Sequence, residues 1–168
     1  MDHESGLIGI LGLGFLGKEL AGLTAWKEGS WGSWHSSPVM SCSLDQFHFN
    51  WQDSSSWSGI PKLPVVMVFT IPTPALELEV IAEQLRQWKE WMQEKRPMLQ
   101  RLILISTTGV YPKKEGIWSE DSNFEPDSDS GKRRLLVEQE LSVVLRARLC
   151  SVASVGGTTN RQLWLFLY

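Results

Sequence analysis

An α/β fold with a doubly wound parallel sheet is the fold class that the sequence predicts. Two observations support it. A glycine-rich turn follows the short apolar run at residues 7–11 and leads into residues with helical spacing. Uncharged apolar runs at residues 64–70 and 102–106 then flank a long amphipathic segment, and this strand–helix–strand order is typical of parallel sheets with right-handed crossovers. The 168 residues are enough for one core, so we expect a single domain over 1–168.

Each element follows from its local pattern. Short uncharged or alternating runs indicate strands, and apolar residues with a period near 3.6 indicate helices. Glycine and proline mark the ends of elements. The predicted elements are strand 7–11, helix 15–26, a strand within 30–38, strand 46–51, a loop or short helix at 52–58, strand 64–70, helix 75–96, strand 102–106, helix 131–146 and strand 148–154.

The two later helices carry apolar residues that we expect to face the sheet. Helix 75–96 has one apolar stripe and no residues suggestive of chemistry, and helix 131–146 begins with the basic run 132–134, although cations disfavour a helix N-terminus. A solvated face is the favoured interpretation of that run, and a site for a phosphate or an acidic partner is the alternative. The inward residues are predicted as Leu78, Ile81, Ala82, Leu85, Trp88 and Met92 on the first helix, and Leu135, Leu141 and Val144 or Leu145 on the second.

Composition excludes several classes of function. The net charge of −3 gives no broad basic face, which argues against a nucleic-acid partner. Two cysteines without a C-x-x-C motif fit a reducing compartment, and we expect a cytoplasmic protein. No apolar run approaches the roughly 20 residues that span a bilayer, and the short acidic start is unlike a signal peptide. His3, His35 and His48 show no metal-ligand spacing, so no metal site is expected.

The first glycine-rich turn predicts a dinucleotide site. The residues from Gly12 to Gly17 fit G-x-G-x-x-G between a strand and a helix, which is the context that this pattern requires. Gly12 allows the tight turn, Gly14 lets the backbone approach a pyrophosphate, and Gly17 lets the helix pack on the strand. The phosphates are expected at the helix N-terminus, where free N–H groups favour anions.

The end of the second strand favours NADP over NAD. NAD-preferring sites carry an Asp or Glu there for the ribose hydroxyls, and none occurs between Ser30 and Pro38. His35, Ser36 and Ser37 are candidate contacts for a 2′-phosphate, although the arginine expected of an NADP site is also missing. The alternative is an ordinary polar loop. Further along, Asp53 either caps a turn, which is favoured, or contacts an adenine edge.

A hydroxyl-rich segment, Ser106 to Tyr111, follows the strand at 102–106 and should face the same cleft. This segment and the glycine turn together resemble the extended or atypical short-chain dehydrogenases/reductases, in the NAD(P)-dependent epimerase/dehydratase group. Residues 105–111 resemble the strand of that family that ends in Ser-Ser/Thr-x-x-Val-Tyr-Gly. Residues 118–122 resemble its acidic stretch, and Pro126 with the helix containing Glu138 resembles its Pro…Tyr-x-x-x-Lys…Glu segment. The resemblance covers about residues 6 to 155 and implies a Rossmann fold.

The resemblance implies hydride transfer to or from a nicotinamide. It places the substrate-orienting hydroxyl at Thr107, with Ser106 beside it. Counting back from Glu138 places the family's proton-transferring Tyr and its Lys at Ser130 and Arg134, and no Tyr-x-x-x-Lys occurs in the sequence. Arg134 keeps a positive charge that suits a ribose or phosphate, and Tyr111 is an alternative acid.

The function expected from the sequence is that of an NAD(P)-binding protein that acts, if active, on a small carbonyl or sugar-nucleotide substrate. The alternatives are a dinucleotide-binding sensor or interaction module without catalysis, and a truncated inactive homologue. Residues 156–168 are expected to be an atypical or truncated tail that forms a final strand or a homodimer contact, and most of the substrate region is expected to be missing. The predicted cofactor contacts are Gly12, Gly14, Phe15, Leu16, Gly17, His35, Ser36, Thr70, Ile71 and Arg134, and the predicted catalytic residues are Thr107, Ser106 and Tyr111.

Overall fold

The computed structural model describes residues 7–22, 29–60, 64–94, 99–113, 125–145, 152–154 and 163–165. Short strands alternate with helices through most of the described chain. The elements are β1 (Ile8–Leu11), α1 (Phe15–Gly22), β2 (Trp31–Trp34), β3 (Asp45–His48), a first 3₁₀ helix (Ser54–Gly59), β4 (Val66–Phe69), α2 (Leu78–Glu94), β5 (Arg101–Leu104), a second 3₁₀ helix (Thr108–Val110), α3 (Asp129–Leu145), β6 (Val152–Ser154) and β7 (Leu163–Leu165).

Strands β1 to β5 form one sheet in the order β3-β2-β1-β4-β5, and every pairing in it is parallel. The chain builds outward from β1 to β3 and then crosses back to the other side of β1 with β4. The strand order therefore reverses between β1 and β4. In open sheets of this kind, ligands bind beyond the carboxyl ends of the strands at such a reversal. The predicted fold class is confirmed.

The main core lies between the sheet and the two long helices, and it is rich in tryptophan. Ile81, Leu85, Trp88 and Met92 of α2 are fully buried, as the apolar stripe predicts. The Trp88 ring meets Phe49 edge-on at a centroid distance of 5.2 Å and stacks on Trp91 at 4.9 Å. Such pairs add to the free energy gained from buried area by about 0.5–1.5 kcal/mol each.

Leu78 does not belong to this buried stripe, and its predicted inward position is wrong. Its side chain is 39% exposed. As the first residue of α2, it lies beside an open groove that Leu135 of α3 also lines, so the sheet does not cover it.

Helix α3 begins two residues earlier than predicted, and this changes the meaning of its basic run. Asp129 supplies a negative charge in the first turn, which offsets the cations that follow. The Lys132 ammonium lies 3.0 Å from the Glu125 carboxylate. Arg134 is only 5% exposed, so the favoured interpretation of the whole run as a solvated face is wrong for this residue. Val137 and Leu141 are buried, whereas Leu135 is half-buried.

The predicted last strand exists but joins a different sheet. Strand β6 pairs antiparallel with β7 and does not extend the five-stranded parallel sheet. Residues 148–151, and residues 156–162 and 166–168 of the predicted tail, lie outside the described residues, as does the acidic segment 118–122. Within the described part of the chain, no helix is both long and apolar enough to cross a membrane.

Candidate functional site

The glycine turn after β1 is held from both neighbouring strands. Gly12 has a φ of +102°, which side chains disfavour. Its N–H donates to Ser33 Oγ at 3.0 Å, and the next N–H, of Leu13, donates to the Ser33 carbonyl oxygen at 2.7 Å. From the other side, Thr70 Oγ1 donates to the carbonyl oxygens of Leu11 and Gly12. Hydrogen bonds from β2 and from the residue after β4 therefore fix this turn.

The two later glycines of the motif differ in their surroundings. A Cβ at Gly17 would overlap the carbonyl oxygen of Gly12, so only glycine lets α1 start this close to β1. A Cβ at Gly14 would meet no atom within 4 Å. The backbone at Gly14 thus faces open space, whereas Gly17 is buried against the turn.

Gly14 lines a cleft of about 450 Å³ at the carboxyl ends of β1 to β4. The residues after β1 form one wall, and those after β2, β3 and β4 form the rest. The lining residues are Gly12–Gly14, Ser33–Ser37, Phe49–Gln52 and Thr70–Pro74.

Six of the ten predicted cofactor contacts line this cleft, namely Gly12, Gly14, His35, Ser36, Thr70 and Ile71. Phe15 begins α1 and is 69% exposed. Leu16 is half-buried behind it, and Gly17 supports the turn. The placement brings residues from three separate segments together, and binding by them remains a prediction.

Arg134 reaches the wall of the cleft from α3. Its Nη1 donates to the Ile71 carbonyl oxygen at 3.3 Å and lies 3.4 Å from Thr73 Oγ1, while its Nη2 donates to the Ile105 carbonyl oxygen. Burial lowers the pKa of the guanidinium to about 10. Its Nε is buried without a hydrogen-bond partner. Arg134 therefore joins the segments that follow β4 and β5. Both of its terminal nitrogens already donate hydrogen bonds to backbone carbonyl oxygens.

The predicted catalytic hydroxyls lie after β5 and are not among the residues that line the cleft. Ser106 Oγ donates to the Glu138 carboxylate of α3. Burial raises the pKa of this carboxyl, while the Ser106 hydrogen bond and the charge of Arg134 oppose the rise. Thr107 is exposed, and its Oγ1 accepts a hydrogen bond from the Gly109 N–H at 3.3 Å. Tyr111 is half-buried beside a separate small cavity lined also by Lys113 and Asp127.

Sequence reasoning missed much of the far wall of the cleft. Trp34 ends β2, and Asn50, Trp51 and Gln52 follow β3. The signal is partial, because Gln52 follows the predicted strand at 46–51, whereas Asn50 and Trp51 fall within that predicted strand. Since β3 ends at His48, all three lie beyond it at the ligand-binding edge of the sheet. Asp53 does not line the cleft; its carboxylate accepts from the Ser55 N–H at 3.0 Å and caps the first 3₁₀ helix, which confirms the predicted cap.

No protein-family model and no curated protein matches the sequence. Solved structures do match. A protein assigned as an NAD-dependent epimerase/dehydratase from Methylobacillus flagellatus is 27% identical, with a TM-score of 0.71 over 90% of this chain. A hypothetical dTDP-4-dehydrorhamnose reductase from Sulfolobus tokodaii is 16% identical, with a TM-score of 0.68 over 92% of this chain. The UDP-glucuronic acid 4-epimerase of Bacillus cereus, solved with NAD, is 17% identical, with a TM-score of 0.59 over 92%.

The likeness to the Methylobacillus protein confirms the resemblance to the epimerase/dehydratase group of the extended short-chain dehydrogenases/reductases, and the other two likenesses show the same Rossmann-like α/β fold. The chain spans only part of each neighbour: 55% of the Methylobacillus protein, 58% of the Sulfolobus protein and 59% of the Bacillus enzyme.

Proposed function

We propose that this chain, which shares its fold with NAD-dependent epimerases/dehydratases, binds a nicotinamide dinucleotide in the cleft at the carboxyl ends of β1 to β4. The observation that supports this most is the contrast between Gly14 and Gly17. One glycine leaves open space in front of the backbone, and the other lets the helix start close to the turn. A pyrophosphate needs both features, since it binds to backbone N–H groups at a helix N-terminus that it can approach closely.

The rest of the cleft has groups suited to the remainder of a dinucleotide. Trp34 supplies aromatic surface for an adenine, and Asn50 and Gln52 supply amides for its polar edge. On the other side, Ile71 and Thr73 extend the cleft towards β5, where a nicotinamide would approach Thr107. Gly12 belongs to the turn that would hold the phosphates, and Phe15 and Leu16 belong to the first turn of α1 that follows it.

NADP is the proposed preference over NAD. Among the described residues that line the cleft there is no Asp or Glu, so no carboxylate there would repel a 2′-phosphate or take the ribose hydroxyls. His35, Ser36 and Ser37 lie at the end of β2, where a 2′-phosphate would be bound.

The second candidate function is hydride transfer on a small carbonyl or sugar-nucleotide substrate. A bound nicotinamide supplies or accepts the hydride, and this chemistry belongs to the cofactor. The Thr107 hydroxyl is exposed at the carboxyl end of β5, where it can orient a substrate oxygen. The adjacent Ser106–Glu138 hydrogen bond, with a carboxyl of raised pKa, offers a proton-holding group where the Tyr-x-x-x-Lys pair is missing.

A dinucleotide-binding sensor without catalysis is the alternative. Ser130 occupies the position that the resemblance assigns to the proton-transferring tyrosine. Arg134 occupies the lysine position, but its donors contact the carbonyls of Ile71 and Ile105. Both facts favour binding without turnover.

Titration of the purified protein with NADPH, followed by nicotinamide fluorescence, tests the proposal. We expect saturable binding, tighter for NADPH than for NADH. If circular dichroism shows folded protein and neither cofactor changes its fluorescence, the binding proposal is wrong. A screen for reductase activity then separates the two functions. Turnover that is lost in Thr107→Val and kept in the neighbouring Thr108→Val supports catalysis. Cofactor binding without turnover supports the sensor.

A further inference from the structure

His35 is the ionisable side chain of the cleft. Among the described residues that line the cleft, the others are glycine, apolar, hydroxyl or amide residues. A dinucleotide brings at least two negative charges on its pyrophosphate, and NADP adds a phosphate with a charge of about −1.5 to −2 near pH 7. The charge of this single imidazole therefore decides how well the end of β2 tolerates the extra phosphate.

A second imidazole, His48, lies next to His35. His48 ends β3, and the parallel register pairs it with Trp34, the residue before His35. The ring centroids of the two histidines are 6.4 Å apart, and His48 lies 4.9 Å from the Trp34 ring. On its other side, His35 Nδ1 shares a hydrogen bond with Ser36 Oγ at 3.3 Å. His35 and Ser36 thus lie where NADP-binding sites usually carry an arginine, and His48 lies beside them.

The charges around this pair are few. Hydrogen bonds from Ser55 lower the pKa of the Asp53 carboxyl, and the charge of His48 lowers it further, so Asp53 is the carboxylate that acts on His48. Within the described part of the chain, no ion pair includes His35 or His48. Asp53 is therefore the carboxylate near His48, and His35 lines the cleft.

We propose that His35, with His48 as its neighbour, binds the 2′-phosphate of NADP in its protonated form. Binding of NADP then takes up a proton, and binding of NAD does not. The inference rests on the proposed dinucleotide site. A phosphate beside an imidazole stabilises the imidazolium, so the bound cofactor favours the protonated ring. Histidine changes its charge between about pH 5 and pH 8, so the choice of cofactor should shift within that range.

The direction of the effect follows from linkage. In the pH interval where the free imidazole is neutral and the imidazole beside the bound phosphate is protonated, each bound NADP recruits a proton. The ratio of NADP to NAD affinity falls there by up to about tenfold per pH unit for one proton, and above this interval it levels off. Below that interval the ratio becomes level. The 2′-phosphate itself takes up a proton near about pH 6, which sets the lower limit of a useful measurement.

Calorimetric titration with NADP⁺ and NAD⁺ tests the inference without any turnover. We expect the NADP⁺-to-NAD⁺ affinity ratio to fall by about tenfold between about pH 6.5 and pH 8.5, the range over which histidine loses its charge. Titrations in two buffers of different ionisation enthalpy should show proton uptake with NADP⁺ alone. His35→Gln should remove both the slope and the uptake, whereas His35→Arg should give a high ratio at every pH because its charge is fixed. His48→Gln should reduce the slope. Met40→Ala, which changes an exposed residue outside the lining of the cleft, is the control and should keep the wild-type slope.

Two results would overturn the inference. If the wild-type ratio is constant with pH, or if His35→Gln keeps the wild-type slope, His35 does not read the phosphate, and the dinucleotide site itself stands. If the folded protein binds neither cofactor at any pH, the proposed function fails and this inference fails with it. The two failures are distinguished by whether NAD⁺ binds.

Discussion

Gly17 lies so close to Gly12 that a single methyl group on its Cα would overlap the Gly12 carbonyl oxygen. The contact joins the first turn of α1 to the end of β1, and it sets how near the helix N-terminus lies to the cleft. Gly14, between them in the sequence, faces open space. The same motif therefore contains one glycine that the fold needs and one that a ligand needs, and substitutions can separate these two roles.

Gly17→Ala should destabilise the protein. The added methyl forces α1 away from β1, and overpacking of this kind costs about 1–3 kcal/mol in the free energy of unfolding. Urea denaturation of the wild type and the variant measures the difference. Gly22→Ala is the matched control, because a Cβ at Gly22 in the same helix meets no atom within 4 Å. Equal losses of stability in the two variants would show that the contact between Gly12 and Gly17 is not tight.

Gly14→Val should abolish dinucleotide binding and leave the fold intact. A Cβ at this position meets no atom within 4 Å, so we expect the new side chain to occupy the approach to the backbone without displacing the turn. We expect the affinity for NADPH to fall by at least about tenfold, which corresponds to about 1.4 kcal/mol. Fluorescence titration measures binding, and thermal unfolding of the same sample serves as the control. A stable variant that still binds NADPH as the wild type does would show that the turn is only structural.

The sequence was sufficient for the sheet and for the glycine turn, because both depend on local pattern. Gly12 and Gly17 do what the motif predicts, and the buried residues of α2 follow the helical period. The position of Arg134 could not be predicted in this way. Its burial depends on how α3 packs against the ends of β4 and β5. The residues that Arg134 contacts there, Ile71 and Ile105, lie 63 and 29 positions before it in the sequence. The neighbouring imidazoles of His35 and His48 likewise depend on the register of β2 and β3.

Arg134→Met should lower stability more than the matched change at its neighbour, Arg133→Met. The methionine fills much of the volume but leaves the carbonyl oxygens of Ile71 and Ile105 without this donor, and such unsatisfied groups cost about 1–3 kcal/mol each when buried. Arg134→Lys should recover part of the loss, because an ammonium donates as a point charge and lacks the planar fork. Chemical denaturation of the four proteins gives the ranking.

The outcome for NADPH binding in the same variants tests the predicted role of Arg134 at the cofactor. If Arg134 acts mainly by joining the β4 and β5 segments, the affinity should fall in step with stability across the methionine and lysine variants. A methionine variant as stable as Arg133→Met would contradict the structural role. A large loss of affinity without loss of stability would instead assign the guanidinium directly to a phosphate or ribose.

Glu138→Gln should change how stability depends on pH. Burial raises the pKa of Glu138 in the folded protein above its ordinary value of 4.5, so the folded state keeps a proton that the unfolded chain releases. The stability from this proton is fully present below that ordinary value and is lost as the pH rises through the folded pKa. The amide of glutamine has no charge to desolvate and can still accept from Ser106. The variant should therefore gain stability relative to the wild type as the pH rises from that value towards neutrality. Thermal unfolding at several pH values measures this gain, and Glu94→Gln, at an exposed position, is the control. A stability difference between Glu138→Gln and the wild type that is constant with pH, or that grows as the pH falls, would contradict a buried carboxyl at this position.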